Sequence, residues 1–171
     1  KNATDSAMII DAMDLLYSNN IDGFCLVSSD SDFTRLATRI RESGKLVYGI
    51  GEKKTPTPFI ASCDKFIYLE ILKKENEETN EDPVKRKQKF EKITPKVRKF
   101  IVNTIKDLAD DDGWAFMGEV GSLLQKKQPN FDPRNFGFQK LTPLISSISN
   151  IEVESRDNTQ GRFKLIYVRV K

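Results

Sequence analysis

Asp30 and Asp32 stand one residue apart in the run Ser28-Ser29-Asp30-Ser31-Asp32-Phe33, between an apolar stretch and an amphipathic one. Phe24 to Val27 reads as a short buried strand, and Thr34 to Ser43 as a helix closed by Gly44. In parallel α/β sheets the reactive groups gather where strands end and helices begin. Two carboxylates in such a turn are poorly placed for packing and well placed to bind a divalent cation. One of them can equally serve as a plain helix cap. A cap needs a single acidic or hydroxyl residue, however, and here four polar residues stand in a row. A metal-binding or phosphate-handling turn and a simple cap both stand open at this point.

Composition narrows the chemistry. The 171 residues include no histidine, which excludes a Ser-His-Asp triad, a histidine-dependent nuclease and the common zinc-hydrolase motifs. Cys25 and Cys63 are far apart and lack CxxC spacing, so neither a disulfide framework nor a cysteine zinc site is expected. Cys25 reads as a small buried strand residue, and the pattern fits a reducing intracellular compartment, the cytoplasm. No apolar stretch approaches the roughly 20 residues needed to span a bilayer, so no membrane partner is expected. Catalysis must come from carboxylates, lysines, hydroxyls and metal ions. The start, Lys1-Asn2-Ala3-Thr4-Asp5, is neither an initiator methionine nor a signal peptide and reads as a fragment of a longer protein.

Charge divides the chain. Residues 73–91 form a charged run with almost no apolar residues, which reads as a linker or a solvated helix. Residues 1–72 carry 8 basic and 10 acidic residues, a net of −2, whereas residues 92–171 carry 14 and 9, a net of +5. An acidic, site-bearing front domain (1–72) and a basic rear domain (92–171) suggest chemistry in one and polyanion contact in the other.

The front half alternates helix and strand. Ser6 to Ser18 has a helical stripe of Met8, Ile9, Ala12 and Leu16, and Phe33, Leu36, Ala37 and Ile40 form a second. Leu46 to Ile50 reads as a strand, Pro58 to Cys63 as a short helix and Lys65 to Leu72 as a last strand. This rhythm predicts an α/β fold with a parallel sheet covered by helices. Asp5 shares the face of Ile9, Ala12 and Leu16 and so points towards the sheet, although an acid there also suits the helix dipole. Asp11 and Asp14 fall on other faces, Asp14 solvated and Asp11 within reach of the site or of a nearby base. Lys53 and Lys54, before the rigid Thr55-Pro56-Thr57-Pro58 segment, could guide a phosphate backbone or simply face water.

Lys1-Asn2-Ala3-Thr4-Asp5 with Asp11, then Val27-Ser28-Ser29-Asp30-Ser31-Asp32-Phe33 and Gly44-Lys45-Leu46-Val47, resembles the NYN domains of the PIN-like nuclease superfamily, in particular the LabA-like group. The resemblance covers nearly all of residues 1–72. It implies that Asp5, Asp11, Asp30 and Asp32 are catalytic acids, that Asp5, Asp30 and Asp32 hold Mg²⁺ or Mn²⁺, and that the activity is metal-dependent hydrolysis of RNA. NYN domains open with a strand ending in an acidic residue, and the sequence begins beyond that point. The resemblance therefore implies a sheet without a central member, a site without one ligand, and an inactive fragment of an active parent.

In the rear half Thr94-Pro95 opens a helix whose apolar stripe is Val97, Phe100, Ile101, Ile105 and Leu108. Asp110-Asp111-Asp112-Gly113 makes the exit turn, and a second helix holds Met117, Val120, Leu123 and Leu124. Asp132-Pro133 opens a third, carrying Phe136, Leu141, Leu144, Ile145 and Ile148, and the strands Ile151 to Ser155 and Phe163 to Val170 close the chain. Three helices and a hairpin make a small α+β winged helix, which as a fold points only generally to nucleic acid.

Asp112-Gly113-Trp114-Ala115, Gly118, Val120-Gly121, Leu124, Pro129-Asn130-Phe131-Asp132 and Asn135-Phe136-Gly137-Phe138-Gln139-Lys140-Leu141 are similar to the OST-HTH, or LOTUS, domain. That resemblance implies RNA binding, or a helicase or other protein partner. Arg134, Gln139 and Lys140 are assigned to the third helix, the usual recognition element, and Arg156, Arg162 and Lys164 flank the wing. Basic side chains there would neutralise phosphates and make binding salt-dependent. Trp114 and Phe138 could stack on bases or belong to the core. The rivals are an RNA-binding adaptor with a vestigial acidic site and a DNA-binding regulator with a phosphate-sensing front domain. A phosphotransferase would need a glycine-rich phosphate loop, which the sequence lacks.

Overall fold

A computed structural model describes residues 3–18, 20–72, 90–157 and 164–171. Most of the charged run at 73–91, together with Lys1 and Arg162, lies outside the described residues. The chain forms two compact units, one built on Lys1–Thr79 with Gln128–Asn130 and the other on Asn80–Lys127 and Phe131–Lys171.

The first unit runs α1 (Ala3–Ser18), β1 (Gly23–Val27), a 3-10 turn (Ser31–Phe33), α2 (Thr34–Glu42), β2 (Leu46–Gly51), α3 (Thr57–Ala61) and β3 (Lys65–Tyr68). The strands form a parallel sheet in the order β1-β2-β3. Alternation sends Leu26, Val47, Phe66 and Tyr68 to a core shared with Ala12 and Leu16 of α1, Leu36, Ala37 and Ile40 of α2, and Phe59 and Ile60 of α3. An aromatic chain crosses it, with Phe59 edge-on to Phe66 at 6.0 Å and Phe66 edge-on to Tyr68 at 5.6 Å.

Two expectations are corrected here. The strand ending at the acidic turn is buried on one face only: Cys25 is exposed, as are Val27, Leu46 and Tyr48 on the same side of the sheet. A run such as Phe24 to Val27 looks the same in sequence whether one face or both are covered. The last strand also ends sooner than Leu72, because the backbone turns helical over 69–72.

The second unit runs α4 (Pro95–Leu108), β4 (Trp114–Phe116), α5 (Met117–Lys127), a 3-10 turn (Pro133–Phe136), α6 (Leu141–Ser146), β5 (Ile151–Asp157) and β6 (Lys164–Val170). Thr94 caps α4 by accepting the Val97 amide at 3.3 Å. The hairpin expected at the end is joined by β4, giving an antiparallel sheet in the order β4-β6-β5. Its inner face (Ala115, Val153, Val168) packs on Ile101, Ile105, Val120, Leu124, Leu144 and Ile145.

The long third helix is not formed. A 3-10 turn ends at Gly137, whose φ of +85° is left-handed backbone that glycine adopts without strain. Pro143 supplies the reason for a fresh start at Leu141: inside a continuous helix its ring would meet the carbonyl four residues back, whereas the first turn of α6 tolerates it.

Candidate functional site

The acidic turn is held by its own serines. The Ser28 hydroxyl accepts the Asp30 amide at 3.1 Å, and Asp30 Oδ1 accepts the Asp32 amide at 3.0 Å, capping the 3-10 turn. Ser29 Oγ accepts the Glu52 amide at 2.8 Å, which clips this turn to the loop after β2. Phe33, only 3% exposed, anchors the segment in the core. The row of polar residues thus divides its work. Ser28, Ser29 and one oxygen of Asp30 build the turn, while the Asp32 carboxylate is exposed and takes no part in building it.

The neighbouring loop is equally fixed. Thr55, 5% exposed, donates its hydroxyl to the Glu52 carbonyl at 2.6 Å, and Glu70 Oε1 accepts the Lys53 amide at 3.0 Å. Glu70 Oε2 is buried without a hydrogen-bond partner among the described residues. Lys54 Nζ lies 2.6 Å from Glu52, whose carboxylate raises the lysine pKa, so Lys54 stays cationic but partly neutralised. A side chain at Gly51 would bring a Cβ to 2.4 Å from the Ser28 carbonyl oxygen, so glycine permits the close approach of the two loops. Ser29 and Glu70, which position these loops, were not legible as such; the only trace in sequence is a hydroxyl and an acid just beyond strand ends.

Asp5 is half-buried in the first turn of α1, with Met8 and Ile9 packing against the core, while Asp11 and Asp14 are exposed. Among the described residues no three of His, Cys, Asp or Glu gather closely enough to hold a metal ion. The two carboxylates of the turn suit one particular mode of binding. Mg²⁺ commonly keeps several waters and takes one or two carboxylates plus substrate phosphates, without an all-protein cage. Asp32 and the second oxygen of Asp30 fit that mode. At the opposite end of the sheet a pocket of about 470 Å³ is lined by Arg41, Lys45, Glu42 and Asp64, a balanced set in which Arg41 pairs with Asp64 at 3.0 Å.

In the second unit the candidate RNA contacts separate. Arg134 lies in the 3-10 turn, where its Nε and Nη2 donate to Asp132 at 3.0 and 2.8 Å, and Asp132 also accepts the Arg134 amide at 2.9 Å. Gln139 and Lys140 precede α6 and do not lie on a recognition helix; both are exposed, Lys140 at the N-cap position. Lys164 is exposed at the start of β6. Trp114, 8% exposed, lies on the outer face of the sheet beneath the guanidinium groups of Arg156 and Arg169, 4.7 and 4.6 Å from its ring. Arg156 also covers Tyr167 at 4.5 Å and pairs with Glu154, which raises its pKa; Arg169 pairs with Glu152 and lowers that carboxyl. Trp114 is therefore a stacked partner of two arginines, and Phe138 packs half-buried on the core.

Comparison with known families separates the halves in the same way. Residues 1–70 match the NYN domain and residues 89–163 match the OST-HTH/LOTUS domain. The chain is an NYN domain followed by an OST-HTH/LOTUS domain. The four aspartates and both loop lysines fall within the NYN match, and Arg134, Gln139 and Lys140 within the OST-HTH/LOTUS match. NYN domains belong to the PIN-like nuclease superfamily.

The chain is similar to an uncharacterized protein of Nitrosomonas europaea solved by NMR, at 31% identity over 54% of this chain and 83% of that one, with a TM-score of 0.43. A protein of Chromobacterium violaceum, also solved by NMR, is 28% identical over 48% of this chain and 86% of that one, with a TM-score of 0.37. No curated protein matches. Among the described residues no helix is long and apolar enough to cross a membrane.

Proposed function

We propose that this NYN–OST-HTH/LOTUS pair handles RNA, the NYN domain contributing the acidic centre of a metal-dependent ribonuclease and the OST-HTH/LOTUS domain holding the strand. The observation that carries the reading is the Ser28–Phe33 turn: it is rigidly built, yet leaves Asp32 and one oxygen of Asp30 free of structural duty at the carboxyl end of a parallel strand. These two residues would hold Mg²⁺ or Mn²⁺, with Asp5 as the further ligand and Asp11 as the further acid of the reading. Bound there, the ion supplies an activated water and charge for a phosphoryl oxygen.

The chain's own residues perform the rest. Asp30 keeps its orientation through the Asp32 amide, and Ser29 fixes the distance between the acidic turn and the lysine loop. Lys53 and Lys54 counter the carboxylates that would otherwise repel a phosphodiester, although Glu52 offsets part of the Lys54 charge. Gln139, Lys140, Arg162 and Lys164 are the contacts assigned to the RNA-holding domain, which could also receive a helicase or other protein. The setting is taken as cytoplasmic, on the support of two free cysteines, a pattern suited to a reducing compartment.

The test is incubation of the chain with labelled single-stranded RNA and Mg²⁺ or Mn²⁺, with Asp30→Asn as control. A longer form of the protein, extended at its N-terminus, is run in parallel. Metal-dependent cleavage lost in Asp30→Asn supports the reading. RNA retention without cleavage in both lengths would establish the adaptor reading, which is favoured by the commitment of an Asp30 oxygen to capping.

A further inference from the structure

Helix α4 breaks two rules of helix design at once. Its first turn carries Lys96 and no acid, with Arg98 and Lys99 close behind, at the end where the helix dipole favours negative charge. Its outer face adds a like-charge pair: Lys96 and Lys99 stand three residues apart, and Asn103 and Lys106 continue the same stripe at spacings of four and three. All four side chains are exposed. None of the three lysines takes part in an ion pair or a side-chain hydrogen bond among the described residues. The nearby acid, Asp107, is already held by Lys127 of α5. The opposite face is ordinary, with Ile101, Thr104 and Ile105 buried in the core.

Packing therefore explains one side of α4 and leaves Lys96 and Lys99 with an uncompensated electrostatic cost at the positive end of the helix, whereas Lys106 suits the last turn. Where a local rule is broken without structural gain, function is the expected reason. We propose that the Lys96–Lys99–Asn103–Lys106 stripe is a principal phosphate-backbone contact of the OST-HTH/LOTUS domain, and that its ligand is single-stranded RNA. The inference rests on the RNA-binding reading above and places the main contact on the first helix of the domain, away from the turn before α6. From Lys96 to Lys106 the helix rises about 15 Å, enough to follow several successive phosphates. The positive pole of the helix adds to the lysine charge at its start, and Asn103 offers a neutral donor between cations. Lysines carried this way give sequence-independent, salt-sensitive attachment, which suits a module that presents a strand to a separate catalytic unit.

The experiment is RNA binding by the whole chain, followed by fluorescence anisotropy over a range of salt concentrations, for Lys96→Gln/Lys99→Gln/Lys106→Gln. A charge-matched control carries Lys45→Gln, Lys126→Gln and Lys171→Gln. Removing three phosphate contacts should reduce the log–log salt slope by about 2 and weaken binding on the order of a hundredfold near 0.1 M salt. The control should change the slope by less than half as much. The stripe variant should melt no lower than the parent, since relief of the Lys96–Lys99 repulsion offsets loss of the Lys106 charge from the last turn. An unchanged slope, an equal loss in the control, or a lowered melting temperature each overturns the assignment. So does loss of an acidic peptide of equal charge while RNA is retained. Failure of the unsubstituted chain to bind RNA overturns the functional reading itself, and the proposal with it.

Discussion

Arg134 provides a sharp test, because its geometry and its place in the sequence suggest opposite roles. It belongs to the segment from which winged helices usually read nucleic acid, yet its guanidinium grips Asp132 through two bonds of 3.0 and 2.8 Å. The Asp132 side chain is 10% exposed and that of Arg134 29%. Arg134→Ala removes two charge-assisted bonds from a largely buried carboxylate and leaves the backbone amide of residue 134 in place. Each such bond contributes about 1.5–3 kcal/mol when lost, and partial access of water to the arginine side offsets some of this, so a net loss of about 2 kcal/mol is expected. For a unit of this size that corresponds to a fall in melting temperature of about 10 °C. Trp114 is the single tryptophan of the chain and lies in this unit, so its fluorescence reports the transition without interference from the NYN domain. A cycle with Asp132→Asn should return a coupling energy above about 1 kcal/mol. Below the transition, the RNA salt slope of Arg134→Ala should equal that of the parent. An unchanged melting temperature with a slope reduced by about 0.7 would make Arg134 a phosphate ligand and refute the reasoning.

Asp30→Ala should cost about 1 kcal/mol through loss of the cap, whereas Asp30→Asn keeps an acceptor and should leave thermal stability unchanged. A pair of melting curves for the two variants checks this. Gly51→Ala should destabilise the first unit by roughly 1–3 kcal/mol and abolish cleavage, since the new methyl meets a backbone oxygen that cannot turn aside; circular dichroism and the cleavage assay read the two effects. Thiol titration of the native chain at pH 8 should detect Cys25 quickly and Cys63 only after unfolding. Burial pushes the Cys63 thiol from 9.0 up to about 11, so its contribution to stability is complete below pH 9 and is lost as the pH rises towards 11, which a series of denaturation curves would show.

What the sequence made legible was local. The turn from Ser28 to Phe33 and the Thr94-Pro95 helix start are written in consecutive residues, and both formed where expected. The stripes of α1, α2 and α4 announced their buried faces because helical spacing is set within a few residues. Exposure of Cys25 and Val27 was not legible, since it depends on what covers the second face of the sheet and not on the strand itself. Strand β4, three residues long, is too short to display a period. The break at Gly137 was written in the sequence as glycine followed by Pro143 six residues later, but a continuous apolar pattern masked it. The pairing of Arg134 was hidden for a related reason: residue type gives its charge, while the partner that engages that charge appears only in three dimensions.

The charge distribution also constrains how the two domains must cooperate. An acidic NYN domain repels RNA at long range, and its two loop lysines stand beside Glu52 and Glu70. On the proposed function attraction comes from the basic domain, and attraction of that kind acts equally on the bound substrate and on the transition state. Uniform binding lowers KM without raising kcat. Loss of the α4 lysines should therefore raise KM for RNA cleavage with kcat nearly unchanged, while Asp30→Asn should reduce kcat with KM nearly unchanged. The opposite split, with the lysines controlling kcat, would mean that the basic domain takes part in orienting the scissile bond, and the division of labour proposed for the two domains would fail.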